Sequence, residues 1–275
     1  MLISYRATAR FIVLAAFAFV CFQILTYCSE DGDVNVFSIE DDKDLGQQVK
    51  TEIRNNPQEY PILDRAQNPE AYAYIDQMLV DILNSGEVTY RDEFNWEVDI
   101  IDDRETLNAF CAPGGYICVY TGLIDYLDNG SDLAGVMGHE IAHADKRHVT
   151  DRLTKVYGLQ TLLGLVLGEN QGLVTEVAAT LLVLEFTRNN EEEADMFSVI
   201  YLCPTEFKSD GAATFFQQLI EDDATGNTPQ FLSTHPNPEN RVPNIRNAAE
   251  SRGCNTNYPQ EEQAAYNAFK NNLGL

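Results

Sequence analysis

Gly138-His139-Glu140-Ile141-Ala142-His143 sets two of the chain's four histidines four residues apart around a glutamate. Inside a helix, positions four apart lie on one face about 6 Å from each other, so both imidazoles can reach a single metal ion. Glu140, one step round the same turn, is placed to take a proton from a water that attacks a carbonyl. Chance supplies about 0.3% of one such match in a chain of this composition. An ordinary helix with two unconnected histidines is the competing reading, and a third ligand elsewhere in the chain decides between them.

Downstream stands Arg188-Asn189-Asn190-Glu191-Glu192-Glu193-Ala194-Asp195. A carboxylate ligand on a helix is commonly one of a pair, its companion orienting a metal-bound imidazole. Only Glu191 has an acid four residues on, Asp195, whereas that place is Met196 for Glu192 and Phe197 for Glu193. The spacing therefore selects His139, His143 and Glu191 as ligands, with Asp195 behind them. It leaves Glu192 and Glu193 to a solvated acidic face.

These residues resemble the HtpX-, BepA- and LoiP-type zinc metallopeptidases, a family related to the CAAX prenyl proteases. Arg188 through Asp195 matches the family's Arg-x-x-Glu-x-x-Ala-Asp box and independently singles out Glu191. Asn108-Ala109-Phe110, Pro113-Gly114-Gly115-Tyr116-Ile117 and Thr121-Gly122-Leu123 are similar to the segment that precedes the zinc helix. Thr234-His235-Pro236 followed by Arg241 is similar to the His-Pro-x-x-x-x-Arg box. The resemblance runs from about Leu45 to Arg246 and is closest in layout to the short LoiP-like members. It implies an α+β fold: a mainly helical zincin-type metallopeptidase domain with a small β-sheet and an active-site helix carrying His-Glu-x-x-His. It also implies one Zn²⁺ per chain, and it sets His235 and Arg241 near the developing oxyanion as further catalytic residues. Clearance of unfolded or misfolded exported and membrane proteins is the role it suggests.

The chain has 275 residues, with 18 Lys and Arg against 43 Asp and Glu, and a formal net charge of −25. A surface of that sign repels phosphate backbones, which excludes nucleic acid as a partner. At the N-terminus, Arg6 and Arg10 precede an apolar run from Phe11 to Tyr27, and acids begin at Glu30. That order is a targeting element, and at about 17 residues the run fits either a cleaved signal or a retained membrane anchor. Cys28, with Leu25 three residues before it, is similar to a lipoprotein cleavage site, although Tyr27 departs from the small residue found there. Export follows, to the periplasm or to a membrane face exposed to it. The expected organisation is a signal or anchor over 1–28, an acidic linker over 29–44, the metallopeptidase domain over 45–250 and a partly helical tail over 251–275.

In an oxidising compartment Cys111, Cys118, Cys203 and Cys254 can form disulfides. If Gly114-Gly115 are the central residues of a hairpin turn, Cys111 and Cys118 face each other across it; a register one residue earlier separates them. No Cys-x-x-Cys spacing marks a thiolate metal site. Apolar spacing suggests helices over Asp42 to Arg54 and Pro69 to Leu83, and alternation at Phe94, Trp96, Val98 and Ile100 suggests a strand. The zinc helix is expected to begin near Ser131 or Asp132, with a side-chain oxygen capping it. The apolar runs Leu159 to Leu167 and Leu173 to Phe186 read as two packed helices, each too short to span a membrane.

The expected chemistry is hydrolysis of a peptide bond in polypeptide substrates, unfolded ones above all, with Glu140 as base. An extended substrate would pair along a sheet edge near Leu107 to Cys111. Two other readings stand beside it. His235 can occupy the open metal position and keep the enzyme latent, or the domain can be a zinc-containing module that holds unfolded chains without cutting them.

Overall fold

The computed structural model describes residues 37–169, 172–223, 231–235 and 240–275. The expected signal or anchor, and Pro236 and Pro238, lie outside the described residues. Helices α1 (Ile39–Asn55) and α2 (Pro69–Leu83) come first. Strands β1 (Glu97–Ile101), β2 (Ala109–Ala112) and β3 (Tyr116–Tyr120) follow, with a 3₁₀ turn at Pro113–Gly115 between the last two. The remaining helices are α3 (Thr121–Tyr126), α4 (Gly130–Asp145), α5 (His148–Tyr157), α6 (Leu159–Val166), α7 (Gly172–Leu181), α8 (Arg188–Leu202), α9 (Gly211–Asp223), α10 (Phe231–Thr234), α11 (Arg241–Arg252) and α12 (Glu262–Asn272). The described residues are thus mainly helical with one small sheet, as the α+β reading expects. Among the described residues no helix is long and apolar enough to cross a membrane.

The sheet runs β1-β3-β2, parallel between β1 and β3 and antiparallel between β2 and β3. Its hairpin register opposes Cys111 to Ile117 and Cys118 to Phe110. Neighbouring residues on a strand point to opposite faces, so this offset sends the two thiols apart and leaves both free and buried. The alternation that begins at Phe94 becomes strand only from Glu97, because the chain turns just before it: the Phe94 amide bonds to the Tyr90 carbonyl at 3.1 Å. The disulfide joins Cys203, at the end of α8, to Cys254, just past α11.

Every residue of α4 is buried. A helix enclosed on all sides has no polar face to spare, and its neighbours approach through small residues. A Cβ on Gly135 would lie 2.1 Å from the Ala212 nitrogen of α9, so that crossing requires glycine. On another side the Ser198 hydroxyl of α8 donates to the Gly135 carbonyl at 2.8 Å, and β2 packs against a third.

α4 starts at Gly130 without a side-chain cap from its N-cap residue, Asn129. The hydroxyl expected to cap it is committed elsewhere, because Ser131 Oγ accepts the Lys208 amide at 2.9 Å. Asp132 is fully buried beside the Tyr258 hydroxyl, 3.0 Å from Oδ1. Burial pushes its carboxyl up to about 6, against the pull of Tyr258, Lys208 and Asn129. A carboxyl raised in the fold contributes stability below its unfolded value and loses it as pH climbs through about 6. Asp132→Asn is therefore expected to gain about 1–3 kcal/mol over the parent at pH 8 and nothing at pH 4. Urea midpoints at the two pH values check it, and an equal shift at both would contradict it.

Candidate metal centre

His139 and His143 lie a turn apart on α4, with their Nε2 atoms 3.0 Å from each other. α8 brings the carboxylate. Its start is fixed by a reciprocal cap in which Thr187 Oγ1 accepts the Asn190 amide and Asn190 Oδ1 accepts the Thr187 amide. Glu191 then falls in the first turn facing α4, with Oε1 3.3 Å from His143 Nε2 and Oε2 3.5 Å from His139 Nε2. The fourth group is His235, which follows α10 and sits with Nδ1 3.1 Å from Glu191 Oε1 and 3.3 Å from His139 Nε2. One ligand atom from each of His139, His143, Glu191 and His235 lies within 4.8 Å of all the others, and all four side chains are buried.

The donor set tests whether a cation fits. Asp195 Oδ1 lies 2.9 Å from His139 Nδ1, so that nitrogen carries a hydrogen and Nε2, 3.2 Å from Arg241 Nη2, is the atom left to meet a metal. That nitrogen, the His143 ring nitrogen beside it and the Glu191 carboxylate converge within 4.8 Å of one another. A metal cation satisfies such a set. The charges of Glu191 and His143 agree with that reading, while a cation must displace a proton from His139. Burial would raise Glu191, but His235 and Arg241 hold its carboxyl well below the usual range. Burial drives His143 well below its ordinary value, toward the neutral, ligating form. Burial also opposes charge on His139, yet Asp195 and Glu191 outweigh it in the metal-free protein and push it up to about 9.

Glu140 is fully buried on the same helix, and neither of its oxygens has a hydrogen-bond partner. Oε1 lies 3.5 Å from His235 Nε2. Burial raises its pKa, with His235 and His139 pulling the other way, so the carboxyl is poised to exchange a proton. The Cys111 thiol beside it is pushed far up by burial and by Glu140, which makes it a poor metal ligand.

Arg241, at the first position of α11, lies behind the ligands. Its Nε and Nη2 donate to the two Asp195 oxygens at 2.7 and 2.8 Å, Nη2 reaches Glu191 Oε2 at 2.9 Å, and the guanidinium stacks 3.5 Å over Phe216. The structure thus brings together every residue the sequence singled out, with His235 among the ligand atoms and Arg241 Nη2 reaching two of them, 2.9 Å from Glu191 Oε2 and 3.2 Å from His139 Nε2.

What the sequence did not single out is the aromatic wall. Phe186 stacks on His143 at 3.8 Å between centroids, and Phe231 stacks on His235 at 4.2 Å. Both sit in apolar or irregular stretches where no spacing distinguishes them. Glu192 is exposed as expected, but Glu193 is not wholly solvated, since it pairs with His148 at 3.0 Å.

A model of peptidase family M48 matches residues 69–249. The chain is 36% identical over 151 residues to the mitochondrial metalloendopeptidase OMA1 of Arabidopsis thaliana, covering 54% of this chain and 30% of that protein. It is 32% identical over 162 residues to the beta-barrel assembly-enhancing protease of Escherichia coli strain K12, covering 54% of this chain and 33% of that one. The matched part thus spans about a third of the length of these relatives.

Proposed function

The chain belongs to peptidase family M48, and from that premise we propose that it is a zinc-dependent endopeptidase acting on unfolded or misfolded polypeptides of an exported or membrane-facing compartment. The observation that carries this reading is the convergence of His139, His143 and Glu191 lone pairs beside the unpaired carboxylate of Glu140. The Cys203–Cys254 disulfide supports an oxidising compartment. The basic and apolar start of the chain supports export and association with a membrane through the N-terminus.

Zinc held by His139, His143 and Glu191 would polarise the scissile carbonyl and make water a stronger nucleophile near neutral pH. The protein's own part is the proton traffic. Glu140 accepts a proton from the attacking water at a carboxylate oxygen, then delivers it to the departing amine. Asp195 keeps the His139 lone pair turned inward, and Arg241 holds both Asp195 and Glu191 in place. A substrate laid against β2, the outer strand, would pair through its backbone, which tolerates many sequences. In the described state β2 is buried and α7 packs against it, so α7 must shift to admit a strand.

The test is cleavage of casein by the full-length protein, before and after chelation and with zinc restored, alongside a folded protein and its reduced, alkylated form. Loss on chelation, return with zinc and preference for the unfolded form are expected. Equal cutting of the folded form would sink the unfolded-substrate part, and cutting that survives chelation would sink the metal part.

A latent state is a second reading with an observation of its own. His235 Nδ1 lies where a fourth ligand would, the ring is held between Phe186 and Phe231, and His139, Glu140, His143 and Glu191 are each 0% exposed. If His235 plugs the site, His235→Ala raises casein cleavage, by about tenfold for each 1.4 kcal/mol of contact released. A fall instead would support the oxyanion role suggested for His235.

A further inference from the structure

His143 has an outer partner that a continuous helix could not supply. A helix running on past Asp145 would carry His148 off the ligand face, five residues from His143. Instead α4 stops, and Arg147 takes the left-handed conformation with φ 61 and ψ 24, unfavourable for a residue with a Cβ. Arg147 is held there from α1: its Nε lies 2.5 Å from Asp42 Oδ2, and Thr150 Oγ1 donates to Asp42 Oδ1 at 2.7 Å. The turn folds α5 back so that His148 Nδ1 lies 3.1 Å from His143 Nδ1, the ring planes at 72°. On its other side, His148 Nε2 lies 3.0 Å from Glu193 Oε2 of α8.

Two facing ring nitrogens share a single hydrogen. An ionised Glu193 only accepts, so His148 Nε2 carries the hydrogen that points to it, and Nδ1 is the atom of that ring turned to accept from His143. The hydrogen between the rings therefore belongs to His143 Nδ1, which leaves His143 Nε2 as a lone pair turned toward His139 and Glu191. We propose that His148 is a positioning residue that fixes His143 in its metal-binding tautomer, with Glu193 setting the direction of the chain of hydrogen bonds. This rests on the reading of His143 as a metal ligand. It gives the two histidine ligands unlike supports: a carboxylate, Asp195, behind His139, and an imidazole, His148 backed by Glu193, behind His143. The left-handed turn at Arg147 then has a purpose beyond ending a helix, because it is what aims His148.

The test is zinc affinity of the full-length protein, measured by competition with a chromophoric chelator, together with the Co²⁺ absorption spectrum and the melting temperature of the metal-free form. His148→Phe, which cannot accept the hydrogen, is expected to weaken zinc binding about 10–100-fold. His148→Asn, whose side-chain oxygen falls near the place of Nδ1, is expected to recover most of the loss and a parent-like Co²⁺ spectrum. Glu193→Leu, altered at a partly exposed position, falls between them. If the parent binds zinc and His148→Phe binds it equally, the proposal fails while the ligand reading stands. If Phe and Asn lose affinity alike in step with a lower metal-free melting temperature, the role is only structural and the proposal again fails. A parent that takes up no zinc overturns the ligand reading and this one with it.

Discussion

Glu140→Gln is expected to lower kcat/KM on casein by about 10²–10⁴-fold and to leave zinc content unchanged. The side chain is buried, its oxygens accept no N–H or O–H hydrogen bond among the described residues, and its polar neighbours are the Cys111 thiol and His235 Nε2, the latter at 3.5 Å. An amide of the same shape therefore breaks no bond that holds a ligand, but it cannot accept the proton of the attacking water. The ligand atoms come from His139, His143 and Glu191, none of which depends on Glu140 for its orientation. The pH profile supplies a second readout. A base must be ionised to act, so activity is present above the Glu140 pKa and is lost as pH falls through it. Burial, which raises that pKa, moves the loss toward neutral pH. Zinc content by elemental analysis alongside the rates makes the prediction exposed: a variant that loses metal in proportion to activity would show Glu140 to be a structural residue rather than the base.

Arg241→Met is expected to have the largest effect on stability. The guanidinium is 1% exposed and faces two buried carboxylates, Glu191 and Asp195, through contacts of 2.7 to 2.9 Å. Methionine fills much of the space over Phe216 but leaves both carboxylates without their cation. Breaking one partner of a buried pair costs about 3–5 kcal/mol, because the remaining charge stays desolvated. The loss should be largest in the metal-free protein, where only the His235 and His139 imidazoles otherwise offset the Glu191 charge, and zinc should restore part of it. Urea titrations of both forms, with and without zinc, measure the difference. An unchanged midpoint in the metal-free variant would mean that water already screens these carboxylates and that the pair contributes little.

How far these features were legible in the sequence depends on how local their cause is. Metal ligation needs imidazole and carboxylate at fixed helical offsets, and so His139, His143, Glu191 and Asp195 could be read from spacing alone. α1 and α2 were legible because an amphipathic period announces a helix. By contrast, the hairpin register that parts Cys111 from Cys118 turns on a single residue at the Pro113–Gly115 turn. The Cys203–Cys254 bond joins positions 51 apart, with no local signal to relate them. The stop of α4 was hidden for a different reason. Arg147 is neither glycine nor asparagine, and its left-handed turn is held by Asp42, about a hundred residues earlier, so a reading of 139–148 sees an unbroken helix. For that same reason His148, five residues after His143, reads from the sequence as off the ligand face, with a structural or supporting role. Arg241 was visible as a motif residue, but only the packing of α11 against α8 shows that its charge meets Glu191 and Asp195 from behind.

The disulfide from Cys203 to Cys254 closes a loop that contains both His235 and Arg241. If His235 acts as the plug, the closed loop keeps it near the ligand cluster once displaced. An internal ligand so tethered competes at an effective concentration on the order of millimolar. A peptide arriving from solution at far lower concentration must outmatch it through its own contacts with the protein. Short peptides, with few such contacts, would then be cut slowly, while long unfolded chains would displace His235 by engaging many sites at once. Selectivity for length would in that case arise from competition within the chain, without a pocket that measures the substrate.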